Sequence, residues 1–415
     1  WNEDQSTAFE IYTKDFGKNH IDAMVGYTSE HTNSEGLGTS FTGFTVPTTL
    51  GVYIQDKVVY DDTAGSSYSI SRTRTESSSI GILARLNYNF ANKYYVSGNF
   101  RRDGYSAFAA GHKWGNFFGA SAAWVISNED FIKNNASWID FLKLRASWGQ
   151  NGSRSVSPYI TASTVNNVVG NSGAQTSAWL GGKSAMGITA TNLANSELTW
   201  ATVNKADIGL DFSFFGSRLS GSIDGYWGTT TNMLLPRSVP YISGFSATYD
   251  DAGLVTNNGV EVVLNSVNIA GDGRDKFRWE TSLVFDHNAN CVKQLYGPGA
   301  DGTEANDVAN YLVTPESQYA LIIGKPITAA YGMKKLGIFN SEDEIKNYKN
   351  DKGEMLMPDA KPGDLKFEDA NGDGKVDTND YTYLGCSDPL FTVNFGNTLS
   401  WKGFSLYFNF RWAQG

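Results

Sequence analysis

Cysteine is almost missing: two residues in a chain of 415. Two cysteines cannot build a disulfide scaffold or a four-cysteine zinc site. Histidine is scarce too. The four, His20, His31, His112 and His287, are scattered, and neither a His-x-x-x-His pair nor a Gly-x-Ser-x-Gly elbow occurs. No catalytic constellation emerges, so an enzyme is not expected. Charged residues are 18% of the chain, below the usual quarter. The 33 basic residues are outnumbered by 43 acidic ones, net −10, and no basic stripe exists to neutralise phosphates; nucleic acid is excluded as a partner. No run of 18 apolar residues could form a transmembrane helix, and no signal peptide opens the chain. Helical periodicity is nearly absent, apart from a short turn around Glu129–Asn135.

What the chain has in quantity is aromatic residues, 13%, and 44 glycines. Such a composition fits neither a disordered chain nor a helical bundle. It leaves either two or three soluble domains or one large barrel. Periodicity decides between them. Phe404, Leu406, Phe408, Phe410 and Trp412 alternate with Ser405, Tyr407, Asn409 and Arg411. The period is two, a strand with one apolar and one polar face. Ile80 to Phe90, Ile208 to Phe214 and Phe391 to Trp401 repeat the pattern.

About twelve strands follow, over 6–16, 20–30, 77–91, 93–103, 114–127, 141–150, 198–214, 217–233, 256–268, 276–288, 389–401 and 403–413. Most are longer than the five or six residues usual in soluble sheets. Tight turns (17–19, 91–92, 215–216, 270–275, 402–403) largely alternate with long connections (31–76, 151–197, 234–255, 289–388). A meander with short turns at one end and long loops at the other is the arrangement of an outer-membrane barrel; a sandwich or propeller has shorter strands and no such alternation. The expected fold is all-β, a transmembrane antiparallel barrel with long extracellular loops and short periplasmic turns. Arg85, Asp207, Asp211, Asp224 and Arg411 would face a hydrated lumen. Aromatics near the strand ends, such as Tyr88, Phe90 and Trp401, fit interfacial girdles or ordinary core positions equally well.

Several segments carry a resemblance. Arg101-Arg102-Asp103-Gly104-Tyr105-Ser106-Ala107-Phe108 leads to Lys113-Trp114-Gly115. Trp124 to Phe131 and Leu142 to Gly152 follow. Leu198-Thr199-Trp200, Asn257 to Glu261, Gly324-Lys325-Pro326, Gly337-Ile338-Phe339 and Pro362-Gly363-Asp364 come next, ahead of Asp369 to Gly374. This order resembles the SusC/RagA family of TonB-linked outer-membrane transporters. Phe118, where that family usually has proline, and Cys386, where a polar residue is usual, are departures.

The resemblance implies a 22-stranded barrel and an N-terminal plug with a TonB-binding segment. On that comparison, residues 1–415 are a partial barrel domain that lacks the plug. It implies an importer of oligosaccharides or peptides in the outer membrane of a Bacteroidota-type bacterium. Implied partners are a SusD-like surface lipoprotein and, through the plug, TonB with ExbB and ExbD. A passive porin is the rival in the same place; a secreted carbohydrate-binding β-protein is the rival of another class.

Three groups of site residues are expected. Asp369, Asn371, Asp373, the Lys375 carbonyl, Asp377 and Asp380 have the spacing of an EF-hand-type loop, with Gly374 at the sharp turn. Ser341 to Asp380 holds twelve acidic and six basic residues, so structural calcium is the expected cofactor; an acidic turn without metal is the alternative. Cys291 and Cys386, at the two feet of the 289–388 excursion, could pair across its base or remain separate. Tyr95, Tyr226 and Tyr407 are candidate lumenal substrate contacts or girdle residues. Parity forbids Ala320–Ile327 from being a lone spanning strand.

Overall fold

The computed structural model describes residues 2–42, 67–154, 156–167, 177–180, 183–186, 188–245, 247–271, 273, 275–295 and 321–415. Twelve long strands form one sheet, numbered here along the chain. They are β1 (Asn2–Phe16), β2 (Asn19–Thr42), β3 (Ser67–Phe90), β4 (Tyr94–Tyr105), β5 (Trp114–Val125) and β6 (Ile139–Ser153). Then come β7 (Ala201–Phe214), β8 (Leu219–Ser238), β9 (Ala247–Ile269), β10 (Arg278–Gln294), β11 (Phe391–Trp401) and β12 (Phe404–Gln414). Their order in the sheet is their order in the sequence, and every neighbouring pair is antiparallel. This is the expected meander.

Register turns the two-residue period into two surfaces. Leu210, Ile223, Val262, Phe285, Val393 and Trp412 are successive cross-strand partners from β7 to β12. One residue along, the ladder reads Gly209, Asp224, Glu261, Asp286 and Thr392. Apolar side chains on the first surface stand in the open: Val25, Leu86, Ile208 and Phe410 are all more than half exposed. In water, so wide an apolar face would be a severe liability. Facing lipid, it is the solvated state. A polar residue on that face is covered by its neighbours: Asn397 is buried and accepts from Trp279 Nε1 and Thr281 Oγ1, both at 2.8 Å. β1 is the exception to the sorting, since Phe9 and Ile11 share the polar surface and Glu10 the apolar one.

The strands outrun their expected bounds at one end. β2 and β3 were expected over 20–30 and 77–91, yet each has 24 residues, paired without interruption from Asn19↔Phe90 to Thr42↔Ser67. At about 3.3 Å per residue such a strand runs roughly 80 Å, well beyond the 9–11 residues that cross a bilayer. The outer part has no apolar alternation because both of its faces are wet. β8, β9 and β10 are extended in the same direction. Much of the expected 31–76 loop is therefore strand, and the rest of it lies outside the described residues.

The described core lies at this extended end, where long links fold back on the strands. Phe108, Phe117, Val156 and Trp200 form one buried cluster; Leu235, Val292 and Leu295 form another, with Leu321 and Ile323 packed on it. The 321–327 stretch thus packs on the rim: Gly324 N donates to Val292 O at 2.8 Å and Val292 N to Lys325 O at 2.9 Å. Beyond it, two small two-stranded sheets (329–333 with 381–386, 335–338 with 365–367) and a helix, Glu342–Asn347, capped by Ser341, give the excursion structure of its own. Sequence periodicity revealed none of these.

The other end is held by short turns. The longest link there, 126–138, carries the helix Asp130–Asn135 and is tied down by Glu129. Its carboxylate accepts from Lys93 Nζ at 2.8 Å, Tyr94 Oη at 2.6 Å and Trp124 Nε1 at 3.1 Å. Those three bonds favour the charged form and hold Glu129 down at about 2. A lowered carboxylate contributes order that is fully present above its unfolded value near 4.5 and is lost as pH falls towards 2. The protection of residues 126–135 against hydrogen exchange, taken relative to an unstructured chain at the same pH, should therefore fall on acidification below about pH 4. Glu129→Ala should show the low protection already at pH 7. Protection in the wild type that ignores pH would contradict the clamp.

Topology makes a separate prediction. In a background without cysteine, single cysteines at 18 and 402 lie at the short-turn end, the periplasmic end of an outer-membrane barrel. A cysteine at 351, in the excursion, lies outside. An impermeant thiol reagent on whole cells should reach 351 alone; labelling at 402 would reverse the orientation.

Candidate functional site

The polar surface is where function can reside, and Arg145 organises its middle. β6 places this residue on the polar parity, opposite Gly209 of β7. Its Nη1 and Nε lie 3.3 Å from Asp207 and Asp211, and its Nη2 pairs with Asp224 on β8. The missing side chain at Gly209 leaves the space: a Cβ there would meet the Arg145 guanidinium and Asp224. The three aspartates were expected on the lumenal face; the arginine that gathers them was missed. Its signal was in the sequence, one position along from Leu144 in an alternating run.

Tyr95, Tyr226 and Tyr407 all lie on the polar surface, by register with Ala123, Asp207 and Thr398. They stand on β4, β8 and β12, so the fold does not bring them together. Tyr226 is not an open platform. Its ring is buried, Lys205 Nζ lies 4.5 Å from the ring centre, and its hydroxyl donates to Asn288 Oδ1 at 2.8 Å. Gly259, directly opposite, gives the ring its room. Tyr95 and Tyr407 are exposed.

The acidic segment forms one tight turn, held by its own backbone. Asp380 is fully buried; its Oδ1 accepts from the N–H groups of Ala370 (2.9 Å) and Asn371 (3.3 Å), and its Oδ2 from that of Asp377 (2.8 Å). Asp369 accepts from Gly372 N and Gly374 N at 2.8 and 2.9 Å. Asn371, Asp373 and Asp377 each accept from the amide two residues on. Gly374 has φ of 90°, the left-handed conformation the spacing demanded of it. Among the described residues, no group of three or more His, Cys, Asp or Glu is arranged to hold a metal ion. These bonds tie the turn to its own backbone, with Asp380 at its centre.

Cys291 and Cys386 are both free thiols. This corrects the pairing across the base of the excursion. Cys386 ends the strand 381–386 with Ala329 as its cross-strand partner, and its Sγ lies 3.6 Å from Asp388 O. Cys291 belongs to β10, opposite Thr256 of β9, with its Sγ against Val292 O.

An antiparallel meander with one lipid-facing surface and one charged, hydrated surface defines a wall of an outer-membrane barrel. Comparison with known proteins then fixes the family. The model of the TonB dependent receptor-like, beta-barrel family matches residues 2–411, and the chain belongs to that family. It is 29% identical over 412 residues to TonB-dependent receptor P3 of Formosa agariphila, covering 99% of this chain and 38% of that protein. It is 26% identical over 413 residues to TonB-dependent receptor SusC of Bacteroides thetaiotaomicron, covering 96% and 36%. Among solved structures, the RagAB peptide importer in its closed-closed state superposes with a TM-score of 0.73 at 20% identity, covering 99% of this chain and 41% of that one. The chain thus spans about two fifths of the length of these relatives, and it is an outer-membrane protein of the TonB-dependent receptor family.

The turn gives a test. Asp380→Ala leaves three backbone donors without their acceptor, at roughly 1–3 kcal/mol for each that stays buried. Limited proteolysis of intact cells should then cut within 365–385, whereas the wild type should resist with or without a calcium chelator. Wild-type cleavage appearing only with chelator would show that the ion, and not the amide network, orders the turn.

Proposed function

We propose that this chain is the transmembrane wall of a TonB-dependent importer of oligosaccharides or peptides. The observation that carries the reading is similarity along nearly the whole chain to a receptor of SusC type, 96% covered, together with the fold shared with RagAB. A SusD-like lipoprotein would cover the extracellular mouth, where β2, β3 and the 321–390 excursion project. TonB with ExbB and ExbD would act through a plug of the kind such receptors carry. The polar surface suits the passage of such solutes. Side chains of both signs line it, and a charged or hydroxylated solute moving along it exchanges water for comparable partners.

Loss of the gene should abolish growth on one class of oligomer as sole nutrient, and loss of TonB should reproduce that phenotype. A passive porin, the rival reading, would keep its transport without TonB. Uptake that survives TonB deletion would therefore overturn the importer reading.

A further inference from the structure

The polar surface opens into a cavity of about 490 Å³ near the extracellular end of β1 to β6, a size that suits a small ligand or the end of a longer one. We propose that this cavity binds the free carboxylate end of a short peptide, and this rests on the importer reading above.

Two guanidinium groups line the cavity, and both keep nitrogens to spare. Arg101 donates to Asp103 through Nε alone, at 2.8 and 2.7 Å, so its terminal nitrogens are not used by that pair. Arg154 reaches Glu30 through Nη2 at 2.8 Å, with its guanidinium 5.5 Å from the centre of the Tyr105 ring. Each arginine is therefore oriented by one acidic neighbour and retains donors in the fork geometry that matches a carboxylate. The amides of Gln5, Asn99 and Asn151 also line the cavity, and they can both give and accept bonds with a peptide backbone.

The floor is built to leave these groups room. A Cβ on Gly81 would come within 2.6 Å of Thr28 Oγ1 and 2.7 Å of Asp103 Oδ1. A Cβ on Gly119 would run into the Asn99 amide. The small residues thus let the polar side chains lie along the sheet and keep the volume above it open.

The aromatic residues at the cavity argue against a neutral sugar. Phe117 and Trp200 line it but are 5% and 7% exposed, packed edge to face on each other at 5.7 Å, with Phe108 against Trp200 at 5.1 Å. Neither offers an open ring face for a pyranose to stack on. A neutral oligosaccharide would also make no charge-assisted bond with the guanidinium nitrogens that Asp103 and Glu30 leave over.

Binding to the full-length receptor in detergent would be measured by calorimetry with four probes. These are tetra-alanine with a free carboxyl terminus, its carboxyl-terminal amide, maltoheptaose, and a pentamer of galacturonate as an acidic sugar. The free-acid peptide should bind at least tenfold more tightly than the amide, and neither sugar should compete with it. In Arg101→Gln and Arg154→Gln the acid should weaken towards the amide while the amide changes little, a response that loss of structure would not give. Gly81→Ala, which keeps every charge, should weaken the acid peptide too. Heat-dependent gel mobility, as in the wild type, would confirm that each variant is folded. Equal binding of acid and amide, competition by either sugar, or no peptide binding at all would overturn the proposal. TonB-dependent growth on a sugar would then still uphold the importer reading, so the two can fail separately.

Discussion

The rest of this structure depends on a backbone that cannot be left unpaired in hydrocarbon. Each unsatisfied amide or carbonyl there costs several kcal/mol, so a chain without apolar helices can cross only as strands joined edge to edge. Once antiparallel neighbours are required, the side-chain period of two fixes which residues meet lipid and which meet water. A slip of one residue between β8 and β9 would move Asp224 or Glu261 onto the surface now held by Ile223 and Val262. Register is thereby specified by the solvent on each side rather than by a buried core.

That constraint explains which parts of the fold were legible in the sequence. Where a strand lies between lipid and water, as from Ile208 to Phe214, the two environments impress an alternation that reads directly. Outside the bilayer the alternation vanishes, and the outer halves of β2 and β3 read as loop. There Thr, Ser, Arg and Glu face water on both sides, and pairs such as Arg72 with Glu35 at 3.3 Å replace apolar sorting. Residues 198–200, expected to begin the strand 198–214, precede it instead, and Trp200 packs into the buried cluster at the rim with Phe108 and Phe117 around it.

The site was legible in its residue types but not in its partners. The aspartates of β7 and β8 were placed on the correct surface by parity, yet spacing says nothing about which arginine comes to them from another strand. The same limit applied to Tyr226, whose burial under Lys205 depends on β7 and on a glycine in β9. It applied to Cys291 and Cys386 as well, where a position at the feet of one excursion left pairing open and the structure holds two free thiols. For the acidic turn, the spacing identified the local geometry; the burial of Asp380 beneath three amides was a tertiary fact.

Charge on the polar surface gives an independent reason to regard that surface as wet. Asp224, Glu261 and Asp286 are direct neighbours across three consecutive strands. Like charges in that position destabilise a sheet, and in a dry interior the repulsion would exceed anything β pairing returns. Arg145 gathers Asp224 with Asp207 and Asp211, which removes part of the strain. What remains is tolerable only where water screens it. The surface that carries these carboxylates must therefore line a hydrated space, and the opposite surface, with Phe410 and Leu406 standing open, must not. The two assignments come from different residues and different physics, and they orient the same sheet the same way.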